Sequence, residues 1–386
     1  MSGPLLWKNL PDVQNAIGIT NYVWDGDSLC FSNDQHLIRF YQGRRKSDVN
    51  GTTLWLNATP DGSVTGGDWR IASTDLDLLL LSVLPKEEGL LKPLLVMLDP
   101  GHGGEDDGAR STDPVVKEKG LNLAMALKIG AGLTNAGLQV AYTRTNDTAL
   151  ALEDRSRLAR KASADLFVSV HANYAANAEA AGVETYVLTP NGYPGTADGS
   201  RPRGWQIGNR NDFHNTLLGF SIHRKLSALP QTGDRGLKHQ SFFVLRETSC
   251  PAVLLEFGFL SNPTEARKLL DPVWQETCAT AISDGILSYA KKVDALDKAV
   301  AEKRKHDAEA NERWRLHLIA QASKPSAPQP LLALSNAAPA LAASRTPDAS
   351  NSPCVTASCT VVATGTNAAS PKLNALTDFY VTGKLE

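Results

Sequence analysis

No stretch of this chain stays apolar for long enough to cross a bilayer. Its apolar runs, such as Leu78–Leu81, are a few residues long, where a spanning helix needs about 20. There is no excess of basic charge either. Lys and Arg total 39 against 41 Asp and Glu, a net charge of −2. With no basic run, the electrostatic footprint of a nucleic-acid binder is missing. Cysteine is scarce: Cys30, Cys250, Cys278, Cys354 and Cys359 form no metal-type C-x-x-C pair. Cys354 and Cys359 suit either a small disulfide loop or two unpaired thiols in a tail. The opening "MSGPLLWKNLPDVQ" lacks a basic segment followed by an apolar one, so no signal peptide is visible. That fits a cytoplasmic protein or a sequence without its leader. No internal repeat is found.

What is present is an ordinary globular composition, 42% hydrophobic and 21% charged. A chain of 386 residues leads one to expect about two or three domains. Texture divides it further. After an N-terminal segment, 1–19, residues 20–85 read as a small β-rich unit. There "LCFSNDQHLIRFYQG" and "TTLWLNATP" flank Asn50-Gly51, a strong hairpin signal. Residues 86–93 are a charged linker. From 94 to 291, apolar runs alternate with helical periodicity, which predicts an α/β layer with a mostly parallel sheet flanked by helices. Strands are expected at 94–98, 140–143, 166–170, 184–188, 243–245 and 253–257. Leu121, Met125, Ile129 and Leu133 recur every four residues, one face of a helix, with Gly137 as a stop signal. Residues 292–322 read as a charged, exposed helix. Residues 323–386 are expected to be a disordered tail, too poor in large apolar groups to offset the entropy of ordering.

Three of the apolar runs end in chemistry. "LLVMLDPGHGG" ends on His102, "ADLFVSVHAN" on His171, and "PAVLLEFGF" carries Glu256 near its end. In an open α/β sheet, ligands sit beyond the carboxyl ends of the strands. Glu118 lies 118 − 102 = 16 residues after His102, at the start of the periodic helix, where a carboxylate is favoured electrostatically. It is either a helix-start charge or a group that swings to the strand edge. Two imidazoles and one carboxylate make the ligand set of a catalytic zinc, with a fourth position for water. Glu256 could then move a proton to and from that water. Each histidine also has a structural alternative as a hydrogen-bonded strand end. Burial of an unpaired Glu256 would be expensive, so an acid there points to a functional role.

The motifs "LDPGHGG", "EKGLNL", Thr143-Arg144, "DRSRLAR", "ADLFVSVHAN", "GVETYVL", "RGLKHQSFFVLR" and "PAVLLEFGFLSN" occur in this order. Together they resemble the zinc-dependent N-acetylmuramoyl-L-alanine amidases of the amidase_3 type, over about 94–291. The resemblance implies a hydrolase of the amide between N-acetylmuramic acid and the L-alanine of the peptidoglycan stem peptide, serving cell-wall remodelling or daughter-cell separation. It implies one Zn2+ per catalytic domain on His102, Glu118 and His171, and Glu256 as the catalytic glutamate, general base and then acid. Asn173 and Arg246 fall in family motifs as candidates to line the substrate groove, or serve as a turn residue and a surface charge. Peptidoglycan as partner implies a periplasmic or extracellular protein. A non-catalytic wall-binding module and a zinc peptidase acting on another amide remain the alternatives. The segment 189–215 is longer than usual for the family. Within it Trp205 and Arg203 are candidates for glycan contact, with a plain surface insertion as the alternative, and His214 and His223 are expected on a helix surface. No segment resembles the autoinhibitory helix of regulated members. The N-terminal unit is similar, more weakly, to the copper amine oxidase-like N-terminal domain, with no cluster suggesting a copper site.

Overall fold

The structure, a computed structural model, describes residues 6–62, 67–77, 89–91, 94–196, 199 and 204–322. The expected tail, with Cys354 and Cys359, lies outside the described residues. The N-terminal part holds β1 (Trp7–Asn9), α1 (Leu10–Ile17), β2 (Tyr22–Asp25), β3 (Ser28–Ser32), β4 (Leu37–Tyr41), β5 (Lys46–Val49), β6 (Thr52–Trp55) and β7 (Arg70–Ala72). Asn50 and Gly51 both take positive φ, 54° and 81°. Two such residues make the turn whose twist matches the strands it joins. Strands β2 to β6 pair antiparallel in sequence order. Phe31, Phe40 and Trp69 pack edge-on or tilted in the core beneath them.

The second part begins with β8 (Leu95–Pro100), β9 (Arg110–Thr112), β10 (Val115–Lys117), α2 (Glu118–Asn135) and β11 (Gln139–Tyr142). It continues with α3 (Leu152–Lys161), β12 (Leu166–Asn173), β13 (Val183–Val187), α4 (Asp212–Ser227) and β14 (Asp234–His239). It closes with α5 (Phe243–Glu247), β15 (Ala252–Phe259), α6 (Pro263–Leu270) and α7 (Pro272–Ala322). The strands form one sheet in the order β11-β8-β12-β15-β13-β14. All of these pairs are parallel except β13–β15. Alternate side chains of its strands feed two cores. Val96, Leu98, Val168, Val170 and Leu255 meet α2, α4 and α7 on one face; Met97, Phe167 and Leu254 meet α3 and α5 on the other. The four-residue repeat of α2 is buried throughout, each such side chain contributing about 1.5–3 kcal/mol.

Several expectations change. Residues 243–245 are helical, within α5, because the "FVL" run is too short for its β-branched character to decide. Strand β14 was not expected, since "DRGLKH" lacks alternation. Helix α7 begins at Pro272, well before 292, and buries Cys278, Ile282, Ile286, Tyr289 and Leu296. His223 is fully buried between Thr185 and Asp234. His214 is half-buried and bonds the Tyr289 hydroxyl. Chain contacts separate residues 304–369 as a second unit; its described part, the last turns of α7, carries exposed Trp314, Leu316, Leu318 and Ile319.

The two β parts, read from the sequence as separate, share one sheet. Strand β6 pairs parallel with β14, Leu54 opposite Leu237. Asp234 fastens the seam: its Oδ2 accepts the Thr53 amide at 2.7 Å, and its Oδ1 meets His223 Nε2 at 3.0 Å. The Trp55 indole donates to the Arg235 carbonyl at 2.9 Å. The Arg45 guanidinium donates to the carbonyls of Pro194 and Gly195. Asp234→Ala removes both bonds and leaves the buried His223 imidazole with Thr185 as its one remaining bond partner, so it should cost about 1–3 kcal/mol. Chemical denaturation followed by tryptophan fluorescence and by circular dichroism measures this; coincident, lowered midpoints are expected, and an unchanged midpoint would show the seam to be idle.

Candidate metal centre

Strand β8 ends at Pro100, and the chain then turns through Gly101 to His102, a non-glycine residue at φ 62°. Two arginines hold this turn. Arg144 donates from Nε to the Pro100 carbonyl (3.0 Å) and from Nη2 to that of Gly101 (2.8 Å). Arg155 donates to the carbonyls of Pro100 (2.9 Å) and His102 (3.0 Å), and pairs with buried Asp99 at 2.7 Å. Thr143 and Ser169 complete the shell of Asp99. The loop carbonyls are therefore satisfied in a conformation that a bulky residue adopts only under constraint. These roles of Thr143, Arg144 and Arg155 were not foreseen, although all three stand in the quoted motifs.

Glu118, the first residue of α2, is 4% exposed and points back under the strand edge. Its Oε2 lies 3.1 Å from His102 Nε2, and its Oε1 lies 2.9 Å from His171 Nδ1. It also accepts from the Ala109 amide (2.7 Å), the Ala172 amide (3.2 Å) and Asn122 Nδ2 (3.0 Å). The far nitrogen of His102, Nδ1, lies 2.8 Å from Asp106 Oδ2, which turns Nε2 inward. The two rings stand nearly perpendicular, centroids 5.0 Å apart. One ligand atom from each residue lies within 4.8 Å of the others. Three ligands at tetrahedral angles on a common ion, with bonds of about 2.1 Å, are about 3.4 Å apart. The donor set, two imidazoles and a carboxylate with a solvent-facing side, suits such an ion, and the spacing is close to what it requires.

Glycine makes room for this closeness. A Cβ on Gly101 would collide with the His171 imidazole. On Gly108, at φ 67°, it would lie 2.5 Å from Glu118 Oε2 and 2.6 Å from His102 Cδ2.

Glu256 lies on β15 beside His171 on β12, in register. It is half-buried, and its Oε2 is enclosed without a hydrogen-bond partner among the described residues. Burial, and then the charges of Glu118 and Glu184, push its carboxyl well above the ordinary range. Asn173, past a bulge on β12, donates to Glu184 Oε2 at 3.1 Å. Arg246, on α5, lays its guanidinium over the Phe243 ring at 5.4 Å, with its Nε enclosed and without a hydrogen-bond partner among the described residues. The turn Ile207–Asn211 rests on α5: Asn211 Nδ2 donates to the Ser249 carbonyl. Trp205 stands exposed before it, with the Arg210 guanidinium 5.4 Å from its ring centre. Arg203 lies outside the described residues. Glu184, buried opposite Glu256, was passed over in the sequence, although "GVETYVL" contained it.

Burial alone would raise the Glu118 carboxyl, but His102 and His171 outweigh it and hold it well below the usual range. Burial opposes protonation of His102, but Glu118 and then Asp106 prevail and raise it. The stability due to a depressed carboxyl is present above its unfolded value, about pH 4.3, and is lost as pH falls through the folded one. That of a raised imidazole is complete below about pH 6.5 and is lost as pH rises through its folded value. Chelated protein should accordingly lose stability from this pair above about pH 6.5. Thermal unfolding against pH, with and without chelator, reads this; a flat profile between pH 5 and 8 would contradict it. Gly101→Ala should keep the fold and lose stoichiometric metal, which elemental analysis of the folded variant checks.

Residues 96–288 match the family Amidase_3, described as N-acetylmuramoyl-L-alanine amidase. The chain is 34% identical over 229 residues to the N-acetylmuramoyl-L-alanine amidase AmiA of Salmonella typhimurium, covering 53% of this chain and 79% of that one. It is 33% identical over 234 residues to AmiA of Escherichia coli, covering 54% and 80%. The solved catalytic domain of CwlV, an amidase from Bacillus (Paenibacillus) polymyxa var. colistinus, is 35% identical. It aligns with 51% of this chain and 97% of its own, with a TM-score of 0.43.

Proposed function

Because the chain belongs to the Amidase_3 family of N-acetylmuramoyl-L-alanine amidases, we propose that it hydrolyses the amide joining N-acetylmuramic acid to the L-alanine of the peptidoglycan stem peptide. The observation that carries this reading is the convergence of His102, Glu118 and His171 on one point, with Glu256 in register beside them. His102 Nε2, His171 Nδ1 and the Glu118 carboxylate would hold a zinc ion. When bound, such an ion polarises a carbonyl and makes water a nucleophile at neutral pH.

The remaining work falls to the chain. Glu256 takes the proton of the attacking water and passes it to the departing amine. A carboxyl whose surroundings favour its protonated form is suited to accept a proton and keep it until the leaving group needs it. Glu118 keeps both imidazoles oriented, and Asp106 fixes which nitrogen of His102 faces inward. Arg246 and Asn173 line the groove: the enclosed, unpartnered Nε of Arg246 is a donor awaiting an acceptor. Trp205, exposed and backed by Arg210, offers a face for a sugar ring.

This substrate lies in the cell envelope, so the protein would act in the periplasm or outside the cell. No described helix is long and apolar enough to cross a membrane.

Glu256→Gln should retain metal and lose cleavage by about 100-fold or more, the range for a lost general base. His102→Ala should lose both metal and cleavage. Mass spectrometry of muropeptides, with zinc-loaded and chelated protein, reads both: free stem peptides beginning with L-alanine are the expected product. Near-normal turnover by Glu256→Gln would reject its role, and cleavage at another amide would reject the substrate.

A further inference from the structure

Three acidic or basic side chains stand in one row across the sheet: His171 on β12, Glu256 on β15 and Glu184 on β13. Glu184 and Glu256 are direct antiparallel partners. Like charges in that relation, with Cβ atoms about 5 Å apart, repel unless something neutralises one of them. Glu184 is 2% exposed, and all of its acceptor capacity is in use. Its Oε1 receives Lys238 Nζ and Arg235 Nε, each at 2.6 Å. Its Oε2 receives the Tyr186 hydroxyl at 2.6 Å and Asn173 Nδ2 at 3.1 Å.

Both cations come from β14; Lys238 is enclosed between two rings, whereas Arg235 packs on one ring and stays partly exposed. The Lys238 ammonium lies 5.8 Å from the Tyr186 ring centre and 6.0 Å from that of Trp55, and its side chain is 12% exposed. The Arg235 guanidinium lies 4.8 Å from the Phe259 ring centre, and its backbone carbonyl is held by the Trp55 indole. Lys238 and Glu256 feel each other's charge, yet no bond joins them, and Glu256 Oε2 has no hydrogen-bond partner among the described residues. Of the two carboxylates within the influence of Lys238, one holds the ammonium and the other is left open.

We propose that Glu184 is a positioning residue for the hydrolysis: by keeping Lys238 and Arg235 on itself, it leaves the Glu256 carboxylate unpaired. The proposal rests on the reading of Glu256 as the group that takes a proton from water. A carboxylate locked to an ammonium is a weaker base and has an oxygen blocked. With Glu184 neutral, the confined Lys238 ammonium would have Glu256 as its nearest anion, because packing between rings bars it from retreating to water. Glu184 is thus a decoy anion, bonded to Asn173 on one side and to the cations on the other.

The test compares the full-length wild type with Glu184→Gln, Lys238→Met and the double variant, each loaded with zinc, on purified muropeptides. Glu184→Gln should lower kcat by about tenfold or more with KM changed less than about threefold and metal content intact, as expected for weakening of a proton acceptor. Lys238→Met added to Glu184→Gln should recover most of that loss, because the cation whose charge reaches Glu256 has gone while Arg235 stays over Phe259. A purely structural Glu184 would give a double variant no better than the single one, and that result would overturn the proposal, as would an unchanged kcat in Glu184→Gln. If the single variant does not fold, the double one still decides. Removing a buried pair together is far milder than removing one partner, so it should work within about fivefold of wild type, and a folded, metal-bound but inactive double variant would reject the idea. Wild-type protein that releases no stem peptide would fail the underlying reading; wild-type activity with an indifferent Glu184→Gln would fail this inference alone.

Discussion

One buried carboxylate organises the site. Glu118 takes two backbone amides, one side-chain amide and both imidazoles on its two oxygens. Burial of an anion is expensive unless it is paired and hydrogen-bonded, and here every contact that offsets the cost also fixes a component. The Ala109 amide ties down the loop from β8, the Ala172 amide ties β12, and Asn122 ties α2 to the Gly101 carbonyl. The geometry of the candidate site is therefore not a set of three side chains placed independently. It follows from satisfying one acid.

A second layer follows from the turn that carries His102. Its carbonyls, shut away from water at Pro100 and Gly101, need donors, and the planar forks of Arg144 and Arg155 supply them from β11's exit and from α3. Asp99 then neutralises Arg155 below the sheet edge. Candidate metal ligands, glycine cradle and arginine scaffold are one connected network, which explains why residues some 40 to 60 positions apart belong to a single feature.

Much of this was legible in the sequence because the chemistry sits where apolar strands stop. His102, His171 and Glu256 announce themselves at the ends of "LLVML", "LFVSV" and "AVLLE". Glu118 was ambiguous by position alone, since a helix-start carboxylate and a ligand look the same. What escaped reading was non-local or unpatterned. The β6–β14 pairing joins residues 54 and 237 through a single register partner, and nothing in either segment signals it. His214 and His223 were placed on a surface, but α4 mixes polar and apolar residues around its circumference and is buried from Asn215 to His223, so its sequence offers no separate polar face to read. Glu184 looked like one more acid in a strand; only the cross-strand register shows that it faces Glu256.

The seam at β14 has a consequence for solubility. A sheet ending at β14 would present a row of bare amides and carbonyls on its rim, the kind of template on which strands of neighbouring molecules add. Here β6 occupies that rim, and the Trp55 indole lies so near Gly236 that a Cβ there would come within 2.6 Å of it. The small β-rich part is thus a permanent bumper on that rim of the sheet, shielding it from unwanted stacking.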